Sequence, residues 1–248
     1  MMAFHVIDQP SPNHNARVAG TDVDILLLHY TGMESGQAAI DWLRSPESNV
    51  SCHYVVEEDG RIFRLVSEGL RAWHAGAGVW RGRDDINSRS IGIEIVNPGH
   101  EWGYRPFPDV QVEAVVALCQ DILSRHPISA RNVLAHSDIA PSRKIDPGEL
   151  FPWDQLAGEG IGHWVPQEPL GRPTALANVD DLVRFQNHLA QYGYALAPTG
   201  VSDRETATVT AAFQRHFRPA RVDGIVDLST ALTLEKLLAA LSGGDRIA

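Results

Sequence analysis

Cysteine is nearly missing from this chain, with only Cys52 and Cys119 in 248 residues. That is too few for a disulfide framework, and Cys119 falls on the apolar face of an expected helix, where a thiol serves as a small buried hydrophobe. A cationic surplus is missing too. Lysine and arginine number 21 against 31 aspartates and glutamates, a formal charge of −10. This argues against non-specific nucleic-acid binding, which depends on basic groups displacing counterions from phosphates, so no nucleic-acid partner is expected. No apolar run approaches the ~20 residues of a membrane-spanning helix. The stretch Met1 to Pro10 has neither a basic n-region nor a continuous apolar h-region. No secretory signal is read there, and a soluble, cytoplasmic protein is expected; a removed leader would make it periplasmic instead.

What is present is enough chain for one large domain, or for one medium and one small. Asp24 to Tyr30 reads as a buried strand, and Gln37 to Leu43 as a helix packing through Ile40 and Leu43. Cys52–Val56 and Arg61–Val66 flank Glu58-Asp59-Gly60, a turn signal that predicts a hairpin. Ile91, Ile93 and Ile95 alternate with Gly92, Glu94 and Val96, so a strand here buries the isoleucines on one face and sends Glu94 to the other. Asp109 is the expected N-cap of a helix to about His126. Strands interleaved with helices imply an α/β fold, a mixed central sheet flanked by helices. Ala157 to Asn178 is rich in glycine and proline and reads as a linker. Three helical patterns come after it: a stripe of Leu182, Phe185, Leu189 and Tyr192; a helix opened by a Ser202–Glu205 capping box; and a third opened by Ser229. The expected division is 1–156, a linker over 157–177, and a small three-helix unit over 178–248.

The chemistry concentrates in Ala135-His136-Ser137-Asp138 through Arg143-Lys144-Ile145-Asp146-Pro147-Gly148. Val133-Leu134-Ala135 reads as a short strand ending at His136, and Pro141 and Pro147 keep the residues beyond it out of regular helix or ladder, so side chains can converge. His136 and Asp146 suit a zinc ion that keeps an open position, and His29, at the end of Ile25-Leu26-Leu27-Leu28, is the best third ligand. Taken singly, a histidine at a strand end is commonly a satisfied polar residue and an aspartate before proline a turn residue.

Together, His29-Tyr30-Thr31, Trp73-His74-Ala75-Gly76, Ser90-Ile91-Gly92-Ile93-Glu94-Ile95-Val96-Asn97 and the His136 to Gly148 segment strongly resemble, in order, the zinc-dependent N-acetylmuramoyl-L-alanine amidases of the AmpD/AmiD type. The resemblance covers roughly residues 20 to 155. It implies an amidase type 2, peptidoglycan-recognition-like fold and one Zn2+ per chain on His29, His136 and Asp146. It also implies hydrolysis of the amide between N-acetylmuramic acid, or its 1,6-anhydro form, and L-alanine in peptidoglycan or muropeptides, in cell-wall recycling. Glu94 is then the general base and Lys144 the group that stabilises charge on the attacked carbonyl. Tyr30, Trp73, His74, Asn97 and Arg143 are substrate-binding candidates. His53 lies in a family motif, Trp80 is a possible sugar-stacking residue, and Arg71, Arg81, Arg83 and Arg89 are weaker candidates for muropeptide carboxylates.

Phe185-Gln186, Gly193-Tyr194, Phe213-Gln214 and Asp223-Gly224 resemble the type 1 peptidoglycan-binding domain over about 178 to 242, with Asp227 where that family usually has glycine. Two alternatives share these motifs: a phage-type endolysin acting on intact wall, and a non-catalytic peptidoglycan-recognition protein, which typically lacks a zinc ligand. If the helices form a separate unit, a chain ending near Asn178 is expected to fold and bind zinc.

Overall fold

The apolar run at 25–28 becomes the middle of a mixed sheet. In the computed structural model, which describes residues 5–172, 174–176 and 178–244, the elements before it are β1 (Val6–Asp8) and β2 (His14–Ala16), and the run itself is β3 (Ile25–Tyr30). Then come α1 (Gly36–Arg44), β4 (Tyr54–Val56), β5 (Ile62–Arg64), β6 (Leu70–Ala72), α2 (Ile86–Arg89), β7 (Ser90–Ile95), α3 (Gly99–Trp102), α4 (Asp109–Arg125) and β8 (Val133–Ala135). After them lie α5 (His136–Ile139), α6 (Trp153–Gly158), α7 (Val179–Tyr192), α8 (Arg204–Phe217) and α9 (Leu228–Gly244). Residues 1–4 of the N-terminal stretch, Pro173 and Ala177 of the expected linker, and 245–248 lie outside the described residues.

Six strands pair in the order β1-β5-β4-β7-β3-β8, and β2 pairs with β6 in a second, antiparallel ribbon. β4 and β5 form the expected antiparallel hairpin, while β7 lies parallel to both β4 and β3, and β3 parallel to β8. In this register His29 stands beside Glu94, and Leu28 beside Ala135, the residue before His136. The parallel pairing therefore brings three separate sequence motifs to one end of the sheet.

Alternation sorts the two faces. Leu26, Leu28, Ile91, Ile93 and Ile95 pack against Val112, Val115, Leu118, Cys119 and Ile122 of α4. Full burial of each such side chain is worth about 1.5–3 kcal/mol before entropy is set against it. Leu27 and Ile25 face the other way, into a second apolar cluster that also holds Trp80, Leu134 and Ile139 together with Leu182, Phe185, Leu189, Tyr192, Tyr194, Phe213 and Phe217. The C-terminal helices thus share a core with the sheet. The irregular stretch after α6 is docked as well: Ile161 is buried, Trp164, Val165 and Leu176 pack on the clusters, and the Leu176 amide donates to the Val226 carbonyl.

Three helix starts differ from expectation. Pro108 takes the cap position of α4 with no side-chain cap hydrogen bond, and Asp109 is the first helical residue, where its charge favours the positive end of the helix dipole. α8 is capped by Asp203, whose Oδ1 accepts the Thr206 amide, instead of by Ser202. At the third, Asp227 Oδ1 accepts the Thr230 amide and hydroxyl, so the atypical aspartate and not Ser229 opens α9. No helix of the described residues is long and apolar enough to cross a membrane.

Candidate active site

At the carboxyl end of β3 the chain delivers His29, and one strand over, β8 ends where α5 begins with His136. Asp146 comes from the irregular loop beyond. Its carbonyl accepts the Ser137 amide at 3.1 Å, which folds the loop back over the start of α5, and the Asp146–Pro147 bond is cis. His29 Nδ1 lies 2.8 Å from His136 Nδ1, and each is 3.0 Å from Asp146 Oδ2. All three side chains are buried.

The surrounding hydrogen bonds fix which ring nitrogens carry protons. Ser90 Oγ donates to the Ile86 carbonyl at 2.7 Å, so at 3.1 Å it accepts from His74 Nε2–H. His74 Nδ1 is then an acceptor and takes His29 Nε2–H at 3.0 Å. His136 Nε2–H donates to the Ala75 carbonyl at 2.9 Å. Both Nδ1 atoms are left as bare lone pairs facing a carboxylate oxygen. Three such atoms at this separation repel one another unless a cation sits among them. Two neutral imidazoles and one carboxylate, each oriented by a further group, are a donor set that fits zinc.

The electrostatics agree. Burial, reinforced by His136, lowers the His29 pKa to about 4, so the ring is neutral. Burial also holds His74 well below the ordinary histidine value. For Asp146 burial acts upward, while positive charge placed at His136 and His29 acts downward and keeps the carboxyl well below the usual range, so the carboxylate is the form that a cation among these groups would meet. Glu94, beside His29 in the register, is pushed the other way: burial first, then the Asp146 charge, raise its pKa well above the ordinary value, with Lys144 opposing. Its Oε2 is sealed from solvent and has no hydrogen-bond partner among the described residues. His136, Asp146, Glu94 and Lys144 line a cleft of about 600 Å³, and His29 is buried.

A buried two-histidine, one-aspartate cradle beside an isolated carboxyl is the geometry; comparison with known proteins says whose it is. The family described as N-acetylmuramoyl-L-alanine amidase matches residues 19–149, more than half of the chain. The chain belongs to the N-acetylmuramoyl-L-alanine amidase family. A second family, described as "Putative peptidoglycan binding domain", matches residues 178–234. The chain is 38% identical over 250 residues to N-acetylmuramoyl-L-alanine amidase AmiD of Escherichia coli (strain K12), covering 93% of this chain and 87% of AmiD. It is 32% identical over 164 residues to 1,6-anhydro-N-acetylmuramyl-L-alanine amidase AmpD of Enterobacter cloacae, covering 59% of this chain and 86% of AmpD. Among solved structures, E. coli AmiD with the substrate anhydro-N-acetylmuramic acid-L-Ala-D-gamma-Glu-L-Lys superposes with a TM-score of 0.76 at 36% identity, covering 90% of this chain and 92% of that one. AmpDh3 from Pseudomonas aeruginosa in complex with anhydromuramic pentapeptide gives 0.76 at 33% identity, covering 94% and 98%.

The other residues singled out in this amidase's sequence divide into two groups. Tyr30, Trp73, His74 and Arg143 line the cleft with Lys144. Within it Tyr30 Oη meets His100 Nδ1 at 3.1 Å, Trp73 Nε1–H donates to Asn15 Oδ1, and Arg143 Nη2 donates to the Ala75 and Ala77 carbonyls. Asn97 is fully buried, its amide donating to the Arg105 carbonyl and its Oδ1 accepting the Gly99 amide; it shapes the turn behind Tyr30 and Thr31. Trp80 has no exposed surface, packing edge-on to Tyr192 and Tyr194, which removes it from sugar stacking. His53 is buried with Nδ1 accepting the Gly92 amide. Arg71 pairs with Asp85, and the exposed Arg83 and the buried Arg89 both pair with Asp24, so each has a carboxylate partner within the chain.

Sequence reasoning passed over Ser90 and Gly92, although both stand in a quoted motif. Ser90 anchors His74, and a Cβ at Gly92 would run into the His74 ring, so glycine there is required by close approach. It also passed over Asp138, Tyr194 and His216, which meet at the back of α5.

Proposed function

We propose that this amidase is zinc-dependent and hydrolyses the amide between the lactyl group of N-acetylmuramic acid, in its 1,6-anhydro form, and L-alanine, on soluble cell-wall fragments destined for recycling. The observation that carries the reading is the convergence of three donor atoms from His29, His136 and Asp146, with Glu94 next to His29 in the sheet register and lining the same open cleft as His136 and Asp146. Zinc on His29, His136 and Asp146 would acidify a water and polarise the scissile carbonyl. Glu94, which lines the cleft, would take that water's proton. Burial raises its pKa and so favours the protonated form, which suits it to hand the proton on to the departing L-alanine nitrogen, a role worth about 10²–10⁴-fold. Lys144, which lines the cleft and whose charge reaches both Glu94 and His29, would offset the negative charge that develops on the carbonyl oxygen. Tyr30, Trp73 and Arg143 line the walls that would hold the sugar and stem peptide, and His74 acts behind His29 by holding its ring. The preference for anhydro substrates leans on the AmiD and AmpDh3 complexes with anhydromuropeptides.

Glu94→Gln keeps the shape of the side chain and removes its basicity. The variant is expected to retain one zinc per chain and to lose about 10²–10⁴-fold in turnover of anhydromuropeptide. Lys144→Ala is expected to lower kcat more than it raises KM, since its partner charge appears in the transition state. Steady-state kinetics with metal analysis test both. Unchanged turnover in Glu94→Gln would falsify its assignment as the base. A second reading, action on intact wall, draws on the match of residues 178–234; purified sacculi hydrolysed faster than soluble anhydromuropeptide would favour it.

A further inference from the structure

The turn of helix that presents His136 is only four residues long, and an isolated turn has no stability of its own. Its third residue, Asp138, is 1% exposed and bonded through both oxygens. Oδ2 accepts the Ala135 amide at 2.8 Å, which is local. The other two donors come from far along the chain. Tyr194 Oη–H reaches Oδ1 at 2.6 Å from just beyond α7, and His216 Nδ1–H reaches Oδ2 at 2.7 Å from the last turn of α8. Both donors are buried, and the His216 ring lies stacked on Trp153 with centroids 3.7 Å apart, so neither can swing to another acceptor. Acceptor and donors belong to the two separately matched segments, 19–149 and 178–234.

We propose that Tyr194 and His216 are positioning residues for the metal centre: the C-terminal helical unit clamps Asp138 and so sets the angle at which His136 offers Nδ1 to the cradle. The inference rests on the reading of His136 as a zinc ligand. Away from the cradle, His136 is held through Nε2 to the Ala75 carbonyl, and α5 is tied within the sheet domain by the Ser137 amide on the Asp146 carbonyl and the Val79 amide on the Ile139 carbonyl. The Asp138 carboxylate, fixed at three points two residues along from His136, adds the anchor that comes from the C-terminal helices. Displacement of a ligand by about 1 Å is enough to spoil a preorganised site.

The test uses the full chain and two readouts, zinc dissociation constant by competition with a chelator and thermal unfolding of the metal-free protein. Tyr194→Phe removes one oxygen, and His216→Phe keeps the stacked ring while removing the donor. Each is expected to weaken zinc binding at least tenfold. His216→Asn, which restores an N–H near the place of Nδ1, is expected to recover most of that loss. Leu237→Ala, in the buried core of α9 and leaving all three hydrogen bonds to Asp138 in place, controls for general destabilisation and is expected to lower Tm without changing zinc affinity. Wild-type zinc affinity in both Tyr194→Phe and His216→Phe overturns the clamp, as does a loss in Leu237→Ala that matches theirs. If His216→Phe does not fold, Tyr194→Phe decides alone. His136→Ala run alongside separates the two levels: if it keeps zinc, the ligand reading fails first; if it loses zinc and the clamp variants do not, the clamp alone is wrong.

Discussion

His29 owes its bare Nδ1 to a chain of protons that starts two residues' depth away, at the Ile86 carbonyl, and runs through Ser90 and His74. Removing a link leaves His29 free to protonate at the wrong nitrogen or to rotate. Ser90→Ala and His74→Ala are therefore expected to cost about 10–100-fold in zinc affinity, the range typical for groups that orient a ligand; chelator competition at neutral pH reads it, and wild-type affinity in both would remove the relay from the account. His53 makes a different prediction. Burial, aided by Arg17, lowers its pKa to about 3, so between its ordinary value near 6.5 and that value the unfolded chain takes a proton the folded chain refuses. Its contribution to stability is thus complete above pH 6.5 and falls with acidification, by about 1.4 kcal/mol per pH unit at most. Urea unfolding of metal-free protein at pH 7 and 5 should show a drop that His53→Gln lessens; an identical drop in the variant would assign it elsewhere. The convergence of His29, His136 and Asp146 was legible in the sequence because ligand chemistry restricts residue type and the motifs fall in order. Their partners were not, because nothing in a one-dimensional pattern links position 29 to 74 or 74 to 90; those contacts exist only once β3 and β7 lie side by side.

Elements are easier to read in their interiors than at their ends. Alternation at 91–95 and helical spacing at 112–122 are enforced by burial on one face, and the structure has both where periodicity puts them. Caps depend instead on single hydrogen bonds that neighbouring serines and aspartates compete to make, which is why the pattern points to Ser202 and Ser229 where the fold uses Asp203 and Asp227. Asp227 carries more than a cap. Its Oδ2 pairs with Arg221 and lies 3.6 Å from Arg218, a guanidinium with no exposed surface. An aspartate where glycine is usual is therefore the nearer of two counter-charges to the buried Arg218, Asp223 at 3.8 Å being the other. Asp227→Ala should cost about 1 kcal/mol for the lost cap and about 2 kcal/mol or more for the stranded cation. Denaturant unfolding measures this, and recovery in an Asp227→Ala, Arg218→Met double variant would show the charge component; a single-variant cost within experimental error would mean that Asp227 is incidental.

At the scale of the whole molecule the two matched segments do not behave as beads on a string. Composition at 157–178 suggests a linker, and three capped amphipathic helices suggest a free-standing unit, because each stripe can be satisfied by the other two. Periodicity cannot say which surfaces a bundle shares with something else. Here the face of β3 that carries Ile25 and Leu27 lies in one apolar cluster with Phe185, Leu189, Tyr192, Phe213 and Phe217, and Trp80 seals the seam. The Arg81 amide donates to the Gly193 carbonyl across it. A chain ending near Asn178 would expose that face and strip Asp138 of two of its three donors. Burial of apolar surface scales at about 25 cal/mol per Å², so losing several large side chains from one cluster removes stability comparable with the whole margin of a small domain. Truncation is accordingly expected to give an aggregation-prone or much less stable protein that has lost turnover on soluble anhydromuropeptide and on sacculi alike. Tethering alone predicts otherwise, since a tether acts through effective concentration and leaves small substrates untouched. Recovery of a soluble truncated chain with full zinc content and undiminished turnover of anhydromuropeptide, slowed only on sacculi, would make the shared cluster a docking surface and the helical unit a recruiter of wall.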